Sequence, residues 1–390
     1  MVISLKQYIT LFTVQLCTAF SVAMLSVSLI SIVHNHSGSV SLLMLSMALP
    51  AILFSRTIGG LFDKYKNKGL MIFAMLFQLF LVASMLLGDL FACNIFIYLF
   101  AFFTFTVHIF IDLLLQIRVT HIAKEAHYLT FNSILSLVEN IGIITGPILG
   151  GYFVYRDNLH AGFIAIFAIY ALIFILTFFL EIPKSAACEG AASKDGPGWE
   201  GSERTLKRRI KQIFYAAALF GFGISIINVM QISFVISRYH TNALGFGLTE
   251  SAWGAGMAIG AFILLLLYKR FRHSSIFGYG YIVIGAAIFA LVVSPNFYFA
   301  LFLFLLIGIG NSIVSIVSTT LIQLAAPPAM LGKSLGMKSM FFQISSLFAM
   351  TITGFLEWTV SPVALFTAAG VIFLLSGKFI LLQVLLRRPV

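Results

Sequence analysis

Apolar runs recur along all 390 residues of the chain, most of them about the 20 residues that a helix needs to cross a bilayer. They fall at 8–32, 40–62, 70–89, 93–117, 130–155, 161–180, 212–236, 250–268, 275–293, 296–322, 335–359 and 362–386. Inside lipid the backbone must satisfy its own hydrogen bonds, and a single run of this length does so as a helix. The expected fold class is therefore an all-α membrane protein with twelve transmembrane helices. Composition agrees, because 60% hydrophobic and 9% charged residues leave too little polar surface for a water-soluble globule.

The net charge of +11 would suit nucleic acid only if it formed a patch on a folded polar face. Here the bases sit between apolar runs, where the positive-inside bias accounts for them, so the expected surroundings are the lipid bilayer and no nucleic acid. Arg56 and Lys378 fall within helices and Arg156 and Arg238 in loops of the opposite side. The remaining bases flank the side that carries both termini, which are therefore expected in the cytoplasm. The first run, starting near Tyr8, is longer than a signal-peptide core and lacks a small-residue cleavage site, so it reads as a retained span. Cys17, Cys93 and Cys188 have the spacing of neither a disulfide framework nor a zinc site, and no metal or cofactor is expected. Short loops fit a bacterial inner membrane, and a monomer is expected.

The long polar segment 181–211, rich in Gly, Ala, Ser and charge, reads as a flexible linker. Its basic amphipathic end, TLKRRIKQIF, is expected on the membrane surface. It separates an N-terminal six-helix bundle, 1–180, from a C-terminal one, 212–390. A faint repeat supports two pseudo-symmetric bundles: MALPAIL at Met47–Leu53 matches MAIGAFI at Met257–Ile263, and ITG at Ile144–Gly146 matches ITG at Ile352–Gly354.

The second helix ends in GGLFDKYKNKG, Gly59 to Gly69. A glycine one turn before an acid gives close helix packing and a carboxylate that can meet the positive N-terminus of another helix. The start of helix eleven, near Gly332 to Ser334, is the candidate. Gly59, Leu61, Asp63, Lys64 and Lys68 resemble the loop signature between helices two and three of the major facilitator superfamily. That resemblance implies a gating role, in which the acid latches the two halves on the cytoplasmic side when the transporter faces outward. Lys66 and Asn67 depart from it, since glycine and arginine are usual there.

Helix five carries Gly142, Gly146, Pro147, Gly150 and Gly151. Glycines at i, i+4 and i+8 share one stripe, where helices can touch backbone to backbone, and proline removes a hydrogen bond so that the helix can bend. The run resembles the fifth-helix signature of the antiporter branch of the same superfamily, with Ser133 at its upstream small position. The resemblance implies export in exchange for protons, with the stripe limiting leakage; the plain alternative is a tight packing stripe. SGSVSLLMLSMALPAILFSRTIGGLFDK and PPAMLGKSLGMKSMFFQISS are similar to the macrolide-efflux and siderophore-exporter branch. Many drug antiporters have an arginine in mid helix four, around Phe105; this chain has none there, and His108 is the nearby base.

Charges inside spans are costly and therefore informative. Glu139 lies near the middle of helix five, where desolvation favours the protonated acid, so it is the first choice for proton coupling. A neutral glutamic acid hydrogen-bonded inside the bundle is the other reading. His108 and Asp112 are one turn apart on helix four and could pass a proton, or form a structural pair near Arg118 at the cytoplasmic end. Arg56 reads as a brace for the Asp63 region, and Lys378 has no assigned role.

Gln15, Gln78, Asn228, Gln231 and Asn311 could face a central substrate cavity or bond neighbouring helices. There is no P-loop, no G-x-S-x-G elbow and no H-E-x-x-H, which argues against an enzyme or an ATP-driven pump. The expected function is secondary active export of a small amphipathic or hydrophobic compound in exchange for protons by alternating access. A dedicated siderophore, metabolite or lysolipid transporter of the same fold, exporter or importer, is the alternative. A non-transporting membrane receptor or scaffold is a further one.

Overall fold

The computed structural model of the protein describes residues 5–35, 40–64, 67–87, 94–156, 158–179, 200–241, 243–267, 273–327, 330–356 and 359–386. Among them, twelve long α-helices follow one another: α1 (Leu5–Asn35), α2 (Val40–Lys64), α3 (Asn67–Leu87), α4 (Asn94–Ile122), α5 (Tyr128–Tyr155), α6 (Leu159–Phe179), α7 (Glu200–Tyr239), α8 (Ala243–Leu267), α9 (His273–Val292), α10 (Phe297–Ala325), α11 (Leu331–Leu356) and α12 (Pro362–Leu386). Each contains a stretch long and apolar enough to span a membrane. A 3-10 turn, Glu125–His127, precedes α5.

Hydroxyl side chains within the spans turn back onto their own helix. Thr18 donates to the Val14 carbonyl (2.7 Å) and Ser133 to that of Leu129 (2.8 Å), so few polar atoms face hydrocarbon. The start of α10 is capped by Asn296, whose side chain accepts from the Phe299 N–H (2.9 Å).

The helices pair in a pattern that repeats at an offset of six. The pairs α1·α2, α1·α4, α1·α6, α2·α4, α3·α4 and α3·α6 recur as α7·α8, α7·α10, α7·α12, α8·α10, α9·α10 and α9·α12. The short sequence repeats fall on equivalent helices, α2 with α8 and α5 with α11. This is a two-half, all-helical fold.

By compactness the chain forms two units. The first comprises Met1–Lys124, Val138–Gly196 and Pro327–Met340; the second comprises Glu125–Leu137, Pro197–Ala326 and Phe341–Val390. In the second unit, Phe220, Phe277 and Phe373 surround the fully buried ring of Tyr281, whose hydroxyl donates to the Ala216 carbonyl (2.7 Å). In the first, α2 packs on α4 and α3 on α6.

TLKRRIKQIF does not form a separate surface helix: α7 starts at Glu200 and runs through it into the span without a break. Its polar and basic residues continue a helix already nucleated by the long apolar stretch that follows. Linker residues 180–199, Lys66, Cys93 and Cys188 lie outside the described residues.

Candidate functional site

The glycine stripe of α5 meets α1. A Cβ on Gly142 would come within 2.7 Å of the Phe20 nitrogen, one on Gly146 within 2.5 Å of the Phe20 carbonyl oxygen, and one on Gly150 within 2.8 Å of the Met24 oxygen. No larger residue fits while the backbones stay this close. Gly151 is different: a Cβ there meets nothing within 4 Å, so it takes no part in the stripe, being rotated about 100° from Gly150. α5 runs unbroken through Pro147.

One turn before Gly142, α5 carries Glu139. The close approach of α1 brings Gln15 beside it, placed so that the Gln15 amide N–H₂ faces the Glu139 carboxyl group. The charges of two further side chains, Asp112 of α4 and Lys338 of α11, act on that carboxylate. Asp112 in turn accepts a hydrogen bond from Gln116 Nε2 (2.8 Å) and interacts with His108, one turn earlier on α4. The His108 ring stands edge-on to Phe105 with centroids 6.3 Å apart, and its Nδ1 is buried without a hydrogen-bond partner. Asp112, Glu139 and Lys338 are each half-buried. All these residues belong to the first unit.

The sequence-level candidates Glu139, Asp112, His108 and Gln15 are thus brought together. Lys338 was missed, having been counted among the bases that flank the spans. It lies seven residues into α11, about 10 Å along the helix. The signal that could have found it is its place inside an apolar run beside small residues, in GKSLGMKSMFF. Two carboxyl groups and one amine here influence one another in a place where charge is expensive.

A second constellation joins α2 and α11, also in the first unit. Asp63 Oδ1 accepts from the Gly332 N–H (2.8 Å) and Oδ2 from that of Lys333 (2.9 Å), so the carboxylate caps the first turn of α11. The helices touch at Gly59, where a Cβ would lie 2.0 Å from the Gly332 oxygen, and at Gly336, where one would lie 2.0 Å from the Ser55 oxygen. Ser55 Oγ donates to the Gly336 carbonyl (2.9 Å). Ile117 of α4 reaches the same place, which sets the buried Arg118 at the level of this clasp. Lys64 closes α2. Lys68 is turned elsewhere, its ammonium donating to the Phe178 carbonyl (3.2 Å) at the end of α6. Arg56 is exposed on α2, as is Lys378 on α12.

The remaining polar candidates separate by burial. Gln78 is fully buried and donates to Thr104 (3.5 Å), and Gln231 is fully buried and donates to Thr249 (2.9 Å). Each thus bonds a neighbouring helix through its amide N–H₂, the second of the two readings given for these positions, while its Oε1 is buried without a hydrogen-bond partner. Asn228 is exposed, and Asn311 is half-buried with its amide 3.9 Å from the Met257 sulfur. In the second unit the structure adds a group that sequence reasoning did not single out. Asn132 Nδ2 donates to Thr320 Oγ1 (2.8 Å) and Gln323 Oε1 (2.6 Å), while Gln323 Nε2 returns a bond to Asn132 Oδ1 (3.4 Å).

The sequence profile of the Major Facilitator Superfamily matches residues 11–350 and, in a second alignment, 213–390. The chain belongs to this superfamily and is a multi-pass membrane protein with its transporter fold. Among solved structures it is similar to the human organic anion transporter TETRAN, with TM-score 0.78, 12% identity, and 96% of this chain and 99% of that one covered. It is also similar to a bacterial homologue of the iron transporter ferroportin in an outward-facing state, with TM-score 0.76, 14% identity and coverage of 96% and 98%. The E. coli fucose:proton symporter FucP gives TM-score 0.73, 13% identity and coverage of 96% and 99%. No curated protein sequence matches the chain.

Proposed function

We propose that the protein is a secondary active transporter that exports a small amphipathic or hydrophobic compound in exchange for protons. The observation that carries this reading is the carboxyl group of Glu139 inside a membrane-spanning helix, beside the backbone approach of α5 to α1 at Gly142 and within the electrostatic influence of Asp112 and Lys338. A membrane protein keeps a costly buried charge where an ion or substrate must be handled. Glu139, held by Gln15, carries the proton; Asp112 shares it, and His108 lies beside Asp112 as the group through which it enters or leaves.

The two bundles, 1–180 and 212–390, joined by the 181–211 linker, alternate access to the site. The α1·α5 glycine stripe is the tight seal, and the Asp63 clasp, with Gly59 and Arg118 at its level, is the cytoplasmic latch. Both termini are cytoplasmic, the membrane is a bacterial inner membrane, and the working unit is a monomer.

The test uses purified protein in liposomes with an imposed pH gradient and a panel of dyes, macrolides and siderophores. Gradient-driven movement of at least one compound is expected, abolished by a proton uncoupler and by Glu139→Gln. Undiminished gradient-driven transport by Glu139→Gln would sink the assignment of Glu139.

A further inference from the structure

We propose that the network of Asn132, Thr320 and Gln323 is a wettable gate, so that on the side of both termini the molecule opens to water along α5·α10 while the matching crossing, α4·α11, stays dry. This inference rests on the alternating-access reading above and adds to it the seam through which that side opens.

The two crossings can be compared because the fold repeats. α4 and α10 are both 29 residues long, and aligning their first residues lays Ile117 on Thr320 and Thr120 on Gln323. Aligning α5 with α11 in the same way lays Leu129 on Gly332 and Asn132 on Leu335. It also lays Gly142 on Ser345, and each meets a carbonyl of the helix that the repeat pairs with it. A Cβ on Gly142 would lie 3.0 Å from the Leu16 oxygen of α1, and Ser345 Oγ donates to the Ala218 carbonyl of α7. With twelve spans, α5 and α11 begin, and α4 and α10 end, on the side that carries the termini.

The chemistry of the two crossings differs. In the first unit, Ile117 meets α11 at Gly332, its Cδ1 3.0 Å from where a Cβ there would lie, and Leu335 is 1% exposed. In the second unit the matching positions hold Thr320 and Asn132, which hydrogen-bond one another and Gln323, and none of the three is more than 5% exposed. The fold closes this crossing with apolar groups in one unit, so packing alone does not call for polar ones in the other. What they change is the parted state. A parted apolar seam sheds water, whereas a parted polar seam offers water donors and acceptors and fills with it. Each bond lost between side chains is replaced by one to water, so the seam parts and recloses at small net cost. Behind it, Thr319, Ser315 and Asn311 follow Gln323 at every fourth residue of α10, and Ser315 is exposed, so water finds partners further in. α4 carries a matching polar stripe in Gln116, Asp112 and His108; the two helices therefore differ at the seam and not behind it.

Paired cysteine reporters test this in the full chain with its own cysteines replaced by alanine, in inside-out membrane vesicles whose medium faces the terminus side. Ile316→Cys lies one turn behind Thr320, and Leu113→Cys lies at the matching place behind Ile117; both positions are buried, 4% and 1% exposed. A charged, membrane-impermeant methanethiosulfonate reagent should modify Ile316→Cys roughly tenfold or more faster than Leu113→Cys. Asn132→Leu with Gln323→Leu makes the seam apolar, while Thr320 keeps its bond to the Ile316 carbonyl (3.0 Å). This double variant should unfold at a temperature near that of wild type, slow Ile316→Cys to the rate of Leu113→Cys, and abolish transport. Asn132→Ser with Gln323→Ser cuts the network but leaves the seam polar, and should keep modification of Ile316→Cys at least as fast as in wild type.

Equal rates at the two reporters, or an unchanged Ile316→Cys rate in the leucine double variant, overturn the inference. So does wild-type transport by that variant, which would mark the network as a structural tie only. If neither cysteine reacts although the pH gradient drives transport, the seam is not the gate and this inference alone falls. If neither reacts and no compound moves, the alternating-access reading falls with it.

Discussion

Two clasps within this molecule join helices far apart in sequence, and they are built from opposite chemistry. In the first unit, a carboxylate on α2 takes two backbone N–H groups at the start of α11, and the helices touch through glycine. In the second, three neutral side chains, Asn132, Thr320 and Gln323, bond one another between α5 and α10, each 5% exposed or less. The α2·α11 clasp needs a charge, a helix dipole and the absence of side chains. The α5·α10 clasp needs only matching donors and acceptors in a dry place. The first should therefore yield to bulk and to salt, the second to removal of one partner.

The largest effect is expected from Gly332→Leu. Its Cβ alone would lie 2.3 Å from the Gly59 oxygen, so the backbones must separate, at a cost of about 1–3 kcal/mol or more. Thermal unfolding of the purified protein should fall by several degrees, and transport should fall to background. A fully stable, active Gly332→Leu protein would show that the close approach is dispensable.

Next comes Asn132→Ala, which leaves the Gln323 amide and the Thr320 hydroxyl buried without their shared partner, at about 1–3 kcal/mol. The double variant Asn132→Leu with Gln323→Leu should recover most of that loss, because both sides of the polar pair are gone. Strictly additive losses in a double-mutant cycle would break the contrast between the clasps.

Asp63→Asn keeps the shape, removes the charge and turns an amide N–H₂ toward a backbone donor. With Asp63 half-buried, about 1 kcal/mol is expected, and the difference from wild type should shrink in high salt. Salt should leave the Asn132→Ala difference unchanged.

The smallest effect is that of Lys68→Met. Although Lys68 belongs to the same sequence signature as Asp63, it only caps α6, and about 0.5 kcal/mol or less is expected in thermal unfolding. A loss as large as that of Asp63→Asn would return Lys68 to the clasp.

Several parts of this arrangement could be read before folding because their signal is local. An acid one turn after a glycine at a helix end, as at Gly59 and Asp63, announces a docking surface. Glycines at Gly142, Gly146 and Gly150 announce a stripe, and Gly151, one residue further, falls off it by helix geometry alone. Glu139 and Asp112 stood out as carboxylates in apolar runs. Lys338 did not, because a lysine near the end of a span resembles the many bases that set membrane orientation. For Gln78 and Gln231 the sequence left a cavity and a bond to a neighbouring helix both open, since it does not say that Thr104 and Thr249 lie on the next helix. Asn132 and Gln323 are 191 residues apart and each is unremarkable alone.

The sequence by itself determined what each stretch must become. Apolar length forces helices in lipid, basic flanks bias their direction, and a glycine period marks one helix face, all through interactions within a few turns. Only the tertiary structure decided which charges share a site. The electrostatic influence of Lys338 and Asp112 on Glu139 depends on how their helices cross, and backbone approach at Gly59, Gly142 and Gly336 sets how near those helices come to their neighbours. Local pattern carries no record of distance between helices, whereas electrostatic and hydrogen-bond energies depend on little else.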